Sequence, residues 1–340
     1  MGRRPGSRVT VRAIAAEAGV SVATVSRVIN GRDAVAPATQ EMVRQAARRL
    51  GDGALGAREQ EPAAQPVFVY CPYRLTDYFG PIVTSVVEAL ALHGRGAMVQ
   101  AGRSAQEQSP SLLDLPRRSG IAGAVLVLPP DSGEDLEALH ARQYPLVVID
   151  PRVELPEDVA SVSAAHAAGA RRITGHLTSL GHRRIGFVGG PREWQVTRNR
   201  LAGHASALSE VGILVDPALV RHVEEPTAEM GYRAALSLLE GVPAPTAIVA
   251  FNDKTAAGAL RAARERNLRV PQDVSVTGFD DSELGQCTLP MLTTARQPLE
   301  EMGRMAVSLL MRLLAGHAID TLHVELATPL VLRDSTAPAR

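Results

Sequence analysis

Residues 10–50, TVRAIAAEAGVSVATVSRVINGRDAVAPATQEMVRQAARRL, constrain the fold more than any other stretch of this sequence. Thr10 is suited to cap a first helix, and Gly19 supplies the positive φ with which many helices end. Ser21 can cap a second helix almost at once, so Ala-Gly-Val-Ser reads as a sharp turn. The apolar residues of the first helix share one side at helical spacing: Ile14, Ala15 and Ala18. The stretch predicts a helix-turn-helix, followed by a third helix that begins near Pro37.

The second helix has two chemically different faces. One face is apolar and carries Val25, Val28 and Ile29. The opposite face carries small, polar or cationic residues: Ala23, Ser26, Arg27 and Asn30. A helix that enters the major groove of DNA needs this division. Arg27 has the forked donors that read a guanine edge, and Val22 and Ala23 suit thymine methyl groups. Three residues suit phosphates: Thr24, Ser26 and Asn30.

An ordinary surface helical hairpin is the alternative interpretation, and the distribution of charge argues against it. Residues 1–51 contain nine arginines against three acidic residues, a net of +6, whereas the whole chain has a formal net charge of +0. Binding to phosphates requires such a local excess of positive charge. The sequence therefore predicts DNA binding at this end of the chain.

The segment AGVSVATVSRVINGRDAVAPAT resembles the headpiece of the lactose-repressor (LacI/GalR) family of bacterial transcription regulators, whose signature is close to A-G-V-S-x-x-T-V-S-R-x-x-N. The resemblance implies that Val22, Ala23 and Arg27 read bases, with the polar residues on or near the DNA backbone. It continues through LTSLGHRRIGFVGG, FNDKTAAGALRAA and VSVTGFDDS. The predicted DNA-binding residues are Thr10, Ser21, Val22, Ala23, Thr24, Ser26, Arg27 and Asn30.

The chain is long enough for two or three domains at 340 residues, and 45% of them are hydrophobic. The sequence contains no apolar run long enough to span a membrane, and its basic N-terminus lacks the apolar core of a signal peptide. Cys71 and Cys287 are the only cysteines, which suggests neither a disulfide framework nor a metal site. We expect a cytoplasmic, nucleoid-associated protein without a cofactor.

Three segments are predicted from these patterns: a DNA-binding domain at 1–51, a linker at 52–66 and an effector domain at 67–340. The linker has the glycines and prolines of an irregular segment. The resemblance implies that in this family the segment forms a hinge helix, and that a leucine of this helix inserts into the minor groove of DNA. Here the corresponding positions hold Asp52, Ala54, Leu55, Arg58 and Glu61. Because glycine disfavours a short helix and Glu61 would be repelled by phosphates, we expect a mostly non-helical linker in the free protein.

Strand and helix patterns alternate from residue 67 onward. Seven β-rich runs are VFVYCP, AMVQA, AVLVL, LVVID, RIGFVGG, AIVAF and VSVTGF. The helical patterns between them cover 81–93, 164–180, 198–211, 228–239 and 253–266. Nearly continuous apolar strands separated by helices predict an α/β fold with parallel sheets, in a domain long enough for two lobes. The resemblance implies the double lobe of periplasmic sugar-binding proteins, with a chain that crosses between the lobes more than once.

Ligands of open parallel sheets bind beyond the carboxyl ends of the strands. Asp150, Asn252 and Asp280 follow predicted strands, and Arg200 lies early in a helix after another. They offer the acceptors and forked donors that vicinal hydroxyl groups require, and they match the family's effector positions. Tyr78 and Phe79 belong to an aromatic loop, together with Tyr70 and Tyr73, that could stack on a sugar or pack in the core. The predicted effector-binding residues are Tyr78, Phe79, Asp150, Arg200, Asn252 and Asp280.

Nearby residues fit structural roles better. Asp253 and Asp281 are expected to cap helices or tie loops rather than contact a ligand, and His182 is expected to be structural. Pro226 stands where many family members have an aromatic residue, which removes one stacking wall.

The prediction that follows is a non-enzymatic, ligand-responsive repressor of carbohydrate-utilisation genes. It would act as a homodimer that reads an inverted repeat in double-stranded DNA, because one helix-turn-helix contacts only a few base pairs. The expected ligand is a mono- or small oligosaccharide, with a nucleoside or a phosphorylated metabolite as alternatives. A solute-binding receptor would share the two lobes but not the basic headpiece. An α/β enzyme would need a nucleophile–base pair or a metal cluster, and the sequence shows neither.

Overall fold

The computed structural model describes residues 10–29, 35–50, 64–102, 112–118, 120–317 and 321–340. The chain divides into two compact units, Met1–Ala64 and Gln65–Arg340. Asn30, Gly51 and most of the predicted linker, residues 52–63, lie outside the described residues, so the expectations about them stay predictions. No helix among the described residues is both long and apolar enough to cross a membrane.

The first unit contains three short helices around a small core. They are α1 (Val11–Ala18), α2 (Val22–Ile29) and α3 (Pro37–Arg49). Thr10 caps α1 by accepting a hydrogen bond from the Ala13 amide at 3.3 Å, and Gly19 ends the helix with φ +67°. The buried core residues come from all three helices: Ile14, Ala15, Val25, Val43, Ala46 and Ala47. The capping and apolar spacing found in the sequence therefore suffice to build this unit.

The first lobe of the second unit is a six-stranded parallel sheet with helices on both faces. Its strands, in the spatial order β11-β5-β4-β3-β1-β2, have these bounds: β1 Val67–Cys71, β2 Ala97–Ala101, β3 Gly123–Val127, β4 Leu146–Ile149, β5 Ser161–Ala164 and β11 His323–Leu326. The helices are α4 (Phe79–Leu92), α5 (Gly133–Ala141) and α11 (Leu299–Leu314). The inner strands are buried on both faces, which explains their continuous apolar runs.

The second lobe is a four-stranded parallel sheet in the order β7-β6-β8-β9. Its strands are β6 (Ile185–Gly189), β7 (Val220–His222), β8 (Ala247–Ala250) and β9 (Ser275–Thr277). Its helices are α6 (His166–Ser179), α7 (Gln195–Ser209), α8 (Ala228–Leu239), α9 (Asp253–Glu265) and α10 (Glu283–Cys287). A two-stranded antiparallel pair, β10 (Thr294–Ala295) and β12 (Leu330–Val331), completes the unit beside this lobe.

The described chain crosses between the lobes three times, at residues 164–166, 295–299 and 326–330. The third crossing exists because β11 pairs with β5 in the first lobe, whereas β12 returns to β10. This pattern confirms the expectation of two lobes joined by more than one crossing. All seven predicted strands and all five predicted helices are present, with ends shifted by a few residues.

Candidate nucleic-acid interface and ligand cavity

Helix α2 presents to solvent the face that the sequence assigns to DNA. Val25 is fully buried, whereas Val22 is 47% exposed and Ala23, Ser26 and Arg27 are also exposed. The Ser21 hydroxyl accepts a hydrogen bond from the Thr24 amide at 3.1 Å and lies 2.8 Å from the Thr24 hydroxyl. The side chains of Ser21 and Thr24 therefore fix the start of the helix, as Thr10 does for α1.

A cavity of about 340 Å³ lies between the two lobes of the second unit. Its walls come from the segments that follow strands β1, β3, β4, β6, β7, β8 and β9, where a ligand of parallel sheets is expected. All six predicted effector residues line it: Tyr78, Phe79, Asp150, Arg200, Asn252 and Asp280. The structure thus brings together side chains that are up to 202 positions apart in the numbering, from 78 to 280.

Arg200 is the central cation of the cavity and is only 4% exposed. Its guanidinium carbon lies 4.5 Å from the ring centroid of Phe251 and 3.7 Å from that of Phe279. One terminal nitrogen donates to the Phe251 carbonyl, and the other lies 3.3 Å from Nδ1 of His166 and 4.0 Å from Oδ1 of Asp280. The Nε of Arg200 is buried without a hydrogen-bond partner in the described structure. Nε of Arg152, another residue of the lining, is also buried without a partner, so the lining residues include two unused donors that a ligand could satisfy.

Asp150 is 3% exposed, and both of its oxygens have partners inside the protein. Oδ1 lies 3.0 Å from Nε2 of His166 and accepts from the Ala164 amide at 3.3 Å, and Oδ2 accepts from the Tyr78 hydroxyl. Burial by itself would raise the pKa of Asp150, but His166, Tyr78 and the Arg200 charge outweigh it and hold the pKa below its ordinary value. Asp150 lines the cavity, but its hydrogen-bonding capacity is largely used by first- and second-lobe groups.

Asp280 retains more capacity for a ligand. Its Oδ1 accepts a hydrogen bond from Nε2 of Gln297 at 2.6 Å, whereas Oε1 of Gln297 is buried with no partner among the described residues. Burial raises the pKa of Asp280 to about 7, against the opposing charge of Arg200 and with the support of nearby Asp253. Gln297 therefore supplies an unused acceptor among the residues that line the cavity.

Asn252 has a structural role in addition to lining the cavity. Its side chain accepts from the Thr255 amide at 2.9 Å, the Thr255 hydroxyl accepts from the Asn252 amide, and together they form a capping box for α9. The side-chain nitrogen of Asn252, Nδ2, donates to the Pro226 carbonyl at 3.3 Å. Because the side-chain oxygen of Asn252 already accepts a hydrogen bond in the cap, the group that Asn252 can offer to a ligand is its side-chain nitrogen.

The two aspartates assigned to structural roles tie loops together. Asp253 accepts from the Ser282 amide at 2.7 Å and from the Thr294 hydroxyl at 2.8 Å. Asp281 accepts from Arg296 at 2.6 Å and also from Arg333. These contacts confirm that both side chains hold loops.

His182 is also structural, as expected. It lies within hydrogen-bond distance of the Thr246 hydroxyl at 2.9 Å and of Ser275 at 3.1 Å. These contacts join the end of α6 to the sheet of the second lobe.

The aromatic loop of the first lobe divides between core and cavity. Tyr70 belongs to β1, is 2% exposed and packs in the core, so the second of the two alternatives, core packing, holds for this residue. Tyr73, Tyr78 and Phe79 line the cavity. The difference follows from strand geometry, since Tyr70 lies within the sheet and the other residues follow its end.

Sequence reasoning missed many of the residues that line the cavity, among them Arg152, Trp194, Phe251 and Gln297. Trp194 precedes α7 just beyond the end of β6, a position that the strand-end rule would have identified. The guanidinium of Arg152 lies 5.1 Å from the ring centroids of both Tyr73 and Trp194 and donates to the Tyr73 hydroxyl. It therefore bridges an aromatic residue of the first lobe and one of the second.

A second bridge across the cavity is an ion pair. Lys254, the only lysine of the chain, lies at the start of α9 with its Nζ 2.8 Å from Oδ2 of Asp77. Asp77 belongs to the first-lobe loop after β1, so the pair joins the two lobes at the edge of the cavity. Both side chains are partly exposed, 41% and 35%, which limits the strength of the pair.

Comparisons with known proteins agree with both parts of this arrangement. Residues 10–51 match the profile of bacterial regulatory proteins of the lacI family, and residues 174–336 match that of a periplasmic binding protein-like domain. The HTH-type transcriptional repressor CytR of Escherichia coli (strain K12) is 32% identical over 336 residues, which are 96% of this chain and 96% of that protein.

Solved structures give the same result. The complex of the transcriptional regulator CelR with cellobiose matches with a TM-score of 0.73 at 31% identity, over 96% of this chain and 100% of that one. The lac repressor dimer bound to operator and the anti-inducer ONPF matches with a TM-score of 0.73 at 27% identity, over 97% of this chain and 100% of that one. The predicted fold, a helix-turn-helix region followed by a two-lobed periplasmic-binding-protein-like domain, is confirmed.

Proposed function

This chain belongs to the LacI family of bacterial regulatory proteins, and from that premise we propose that it represses carbohydrate-utilisation genes until a small sugar releases it from its operator. It is a DNA-binding transcription regulator whose second unit has the fold of sugar-binding proteins. One observation carries the proposal: the basic helix-turn-helix and a cavity with unused hydrogen-bonding groups occur in one chain.

The DNA-binding half of the proposal rests on the exposed face of α2. Val22, Ala23 and Arg27 are accessible there, and the net charge of +6 over residues 1–51 comes from nine arginines against three acidic residues. We propose that these three residues contact bases and that two copies of the chain bind an inverted repeat. A homodimer supplies the second half-site that specificity requires.

The ligand-binding half rests on the chemistry of the cavity. Hydroxyl groups both donate and accept, and the cavity has an unused donor on Arg200 and an unused acceptor on Gln297. Tyr73, Phe79 and Trp194 supply apolar rings that suit the faces of a sugar. CelR has been solved in complex with cellobiose, which makes a disaccharide the first ligand to examine.

The test measures DNA binding by fluorescence anisotropy with a fragment from upstream of the protein's own gene and with random DNA of equal length. We expect the chosen fragment to bind at least 100-fold more tightly at a fixed salt concentration. Addition of one sugar from a panel that includes cellobiose, maltose and glucose should then reduce the affinity. A chain that prefers no DNA fragment, or releases DNA only with nucleosides, would contradict the respective half of the proposal.

The proposal also places this regulator in the cytoplasm with the nucleoid and gives it no catalytic activity. The family consists of regulatory proteins, and its members control transcription by binding rather than by chemistry. Incubation of the protein with the sugar that releases DNA should leave that sugar unchanged by mass spectrometry. Conversion of the sugar would favour the enzyme alternative.

A further inference from the structure

The side chains that line the cavity carry more negative than positive groups. Three are cationic: Arg152, Arg200 and Lys254. Six are carboxylates: Asp77, Asp150, Glu193, Glu224, Glu225 and Asp280. A cleft that is lined mainly by groups of one charge produces an electrostatic potential of that sign, which acts on any ligand that enters. The charge of a ligand therefore matters here as much as its shape.

Each of the three cations is already engaged by the protein. Lys254 pairs with Asp77 at 2.8 Å. The terminal nitrogens of Arg200 face the Phe251 carbonyl and His166, and two aromatic rings lie within 4.5 Å of its guanidinium carbon. Arg152 donates to a tyrosine hydroxyl and lies against the rings on either side of the cavity. Nε of Arg152 and Nε of Arg200 are unpaired, but each guanidinium already shares at least one terminal nitrogen with these protein groups. Neither arginine is therefore a fully free two-pronged fork for a phosphate or a carboxylate.

Three of the carboxylates have no such partner. Glu193, Glu224 and Glu225 are exposed, line the cavity and form no ion pair among the described residues. Because they are both exposed and part of the lining, they lie where the cavity opens to solvent. We call these three residues the acidic rim. An anionic ligand would have to pass and remain beside the acidic rim.

The interior also disfavours additional negative charge. Burial raises the pKa of Asp280 to about 7, so this carboxyl group already resists ionisation at its place in the cavity. Among the residues that line the cavity, the buried polar atoms without a partner in the described structure are two donors, Nε of Arg152 and Nε of Arg200, and one acceptor, Oε1 of Gln297. A hydroxyl group can satisfy both kinds, whereas a fully ionised phosphate only accepts and would leave Gln297 unpaired.

Resting on the proposed function, we infer that the cavity selects an uncharged sugar and that the acidic rim rejects its phosphorylated and carboxylated forms. The regulator then responds to a sugar before phosphorylation or oxidation and ceases to respond to it afterwards. Two features support this assignment: the excess of carboxylates over cations in the lining, including the acidic rim, and the unpaired acceptor of Gln297, which a hydroxyl group can satisfy and a fully ionised phosphate cannot.

The experiment uses the full chain and matched ligand pairs: glucose with glucose 6-phosphate, and cellobiose with cellobiose 6-phosphate and cellobionic acid. Calorimetry should show that, for the pair that binds, the uncharged form binds at least ten-fold more tightly. In the triple variant Glu193→Gln/Glu224→Gln/Glu225→Gln, the ratio of the affinity for the uncharged form to the affinity for the anionic form should fall at least three-fold. Most of this change should come from tighter binding of the anion. Raising the salt concentration should reduce the ratio in the native protein because the rim is exposed.

A matched control changes the net charge equally but away from the cavity. Glu134→Gln/Glu137→Gln/Glu157→Gln neutralises three exposed first-lobe carboxylates that do not line it, and it should leave the ratio unchanged. Equal or tighter binding of the anionic forms, or an identical ratio in the rim variant, would overturn the inference. If no ligand of either kind binds, the proposed sugar response itself fails and the inference falls with it.

Discussion

The ring of His166 and the carboxylate of Asp150 lie 3.0 Å apart, from Nε2 to Oδ1, and both side chains are almost completely buried. Asp150 follows β4 of the first lobe, whereas His166 opens α6 of the second. Because arginine only donates hydrogen bonds, a hydrogen bond between Arg200 and His166 makes Nδ1 of His166 the acceptor, and Nε2–H then donates to Oδ1 of Asp150. A buried chain of contacts therefore runs from Tyr78 through Asp150 and His166 to Arg200, across the junction of the lobes.

His166→Ala should lower the free energy of unfolding of the second unit by about 2–4 kcal/mol, because it leaves the Asp150 carboxylate buried with fewer partners. Chemical denaturation measures this change. Asp150→Asn combined with His166→Ala removes the stranded charge and should recover part of the loss. A double variant no more stable than the single one would show that the contact has no energetic weight.

Arg27→Ala should weaken binding to the operator by about 1–3 kcal/mol and relax the preference at one base pair per half-site, since Arg27 is exposed on the DNA-facing side of α2. Anisotropy with operator variants measures both effects. Arg44→Ala on α3 removes the same charge and should weaken specific and random DNA alike. Equal losses for Arg27→Ala on both kinds of DNA would make Arg27 a phosphate contact.

Arg200→Ala and Asp280→Ala should each weaken the sugar response by roughly 2–4 kcal/mol, because each leaves buried polar groups in the cavity unpaired. Operator binding without sugar should change little. Arg198→Ala, an exposed residue on the same helix that does not line the cavity, serves as the control. An unaltered sugar concentration for release in both cavity variants would show that the ligand binds elsewhere.

The ion pair between Asp77 and Lys254 should help to hold the lobes together. Asp77→Lys and Lys254→Asp each place like charges opposite one another and should weaken ligand binding several-fold, which corresponds to about 1 kcal/mol for a partly exposed pair. The double reversal restores an opposite-charge pair and should recover most of the affinity. Calorimetry on all four proteins gives the coupling, and simple additivity of the two single effects would refute it.

The pKa of Asp280 predicts a pH dependence with a definite sign. Because the pKa is raised from its ordinary value of about 4 to about 7 in the folded protein, the folded state binds an extra proton between these limits. The stability contributed by this group is therefore present at low pH and is lost as the pH rises towards about 7. Arg200, Gln297, Asp253 and Lys254 surround or influence Asp280 and set the extent of the shift.

Thermal unfolding from pH 5 to pH 8 tests this sign. Asp280→Asn cannot ionise, so the native protein should lose stability relative to the variant as the pH rises. The difference in slope between the two proteins is the measured quantity, which is independent of the hydrogen bonds that the substitution changes at every pH. Parallel curves would mean that Asp280 titrates outside this interval.

The headpiece and most of the elements were determined by local sequence. Thr10, Gly19 and Ser21 act on amides within a few residues, and the apolar spacing around Ile14 and Val25 fixes which faces meet. The predominantly apolar strands can likewise be recognised from sequence, since a strand covered on both faces is composed mainly of apolar residues. The same local rule misses β11, whose residues alternate between exposed and half-buried at the edge of the sheet.

The identity of the cavity residues follows only partly from sequence. Asp150, Arg200 and Asp280 were found because the ends of parallel strands meet at one edge of each sheet. His166 and Gln297 were not found, because their roles depend on contacts between segments that are separated along the chain. Trp194 lies just beyond the end of β6 and was overlooked, although the same rule applies to it. Sequence periodicity determines the face of an element on which a residue lies. Only the three crossings between the lobes decide that His166 meets Asp150, that Arg152 reaches Trp194, and that Arg200 and Gln297, each with an unpaired buried atom, line a common cavity.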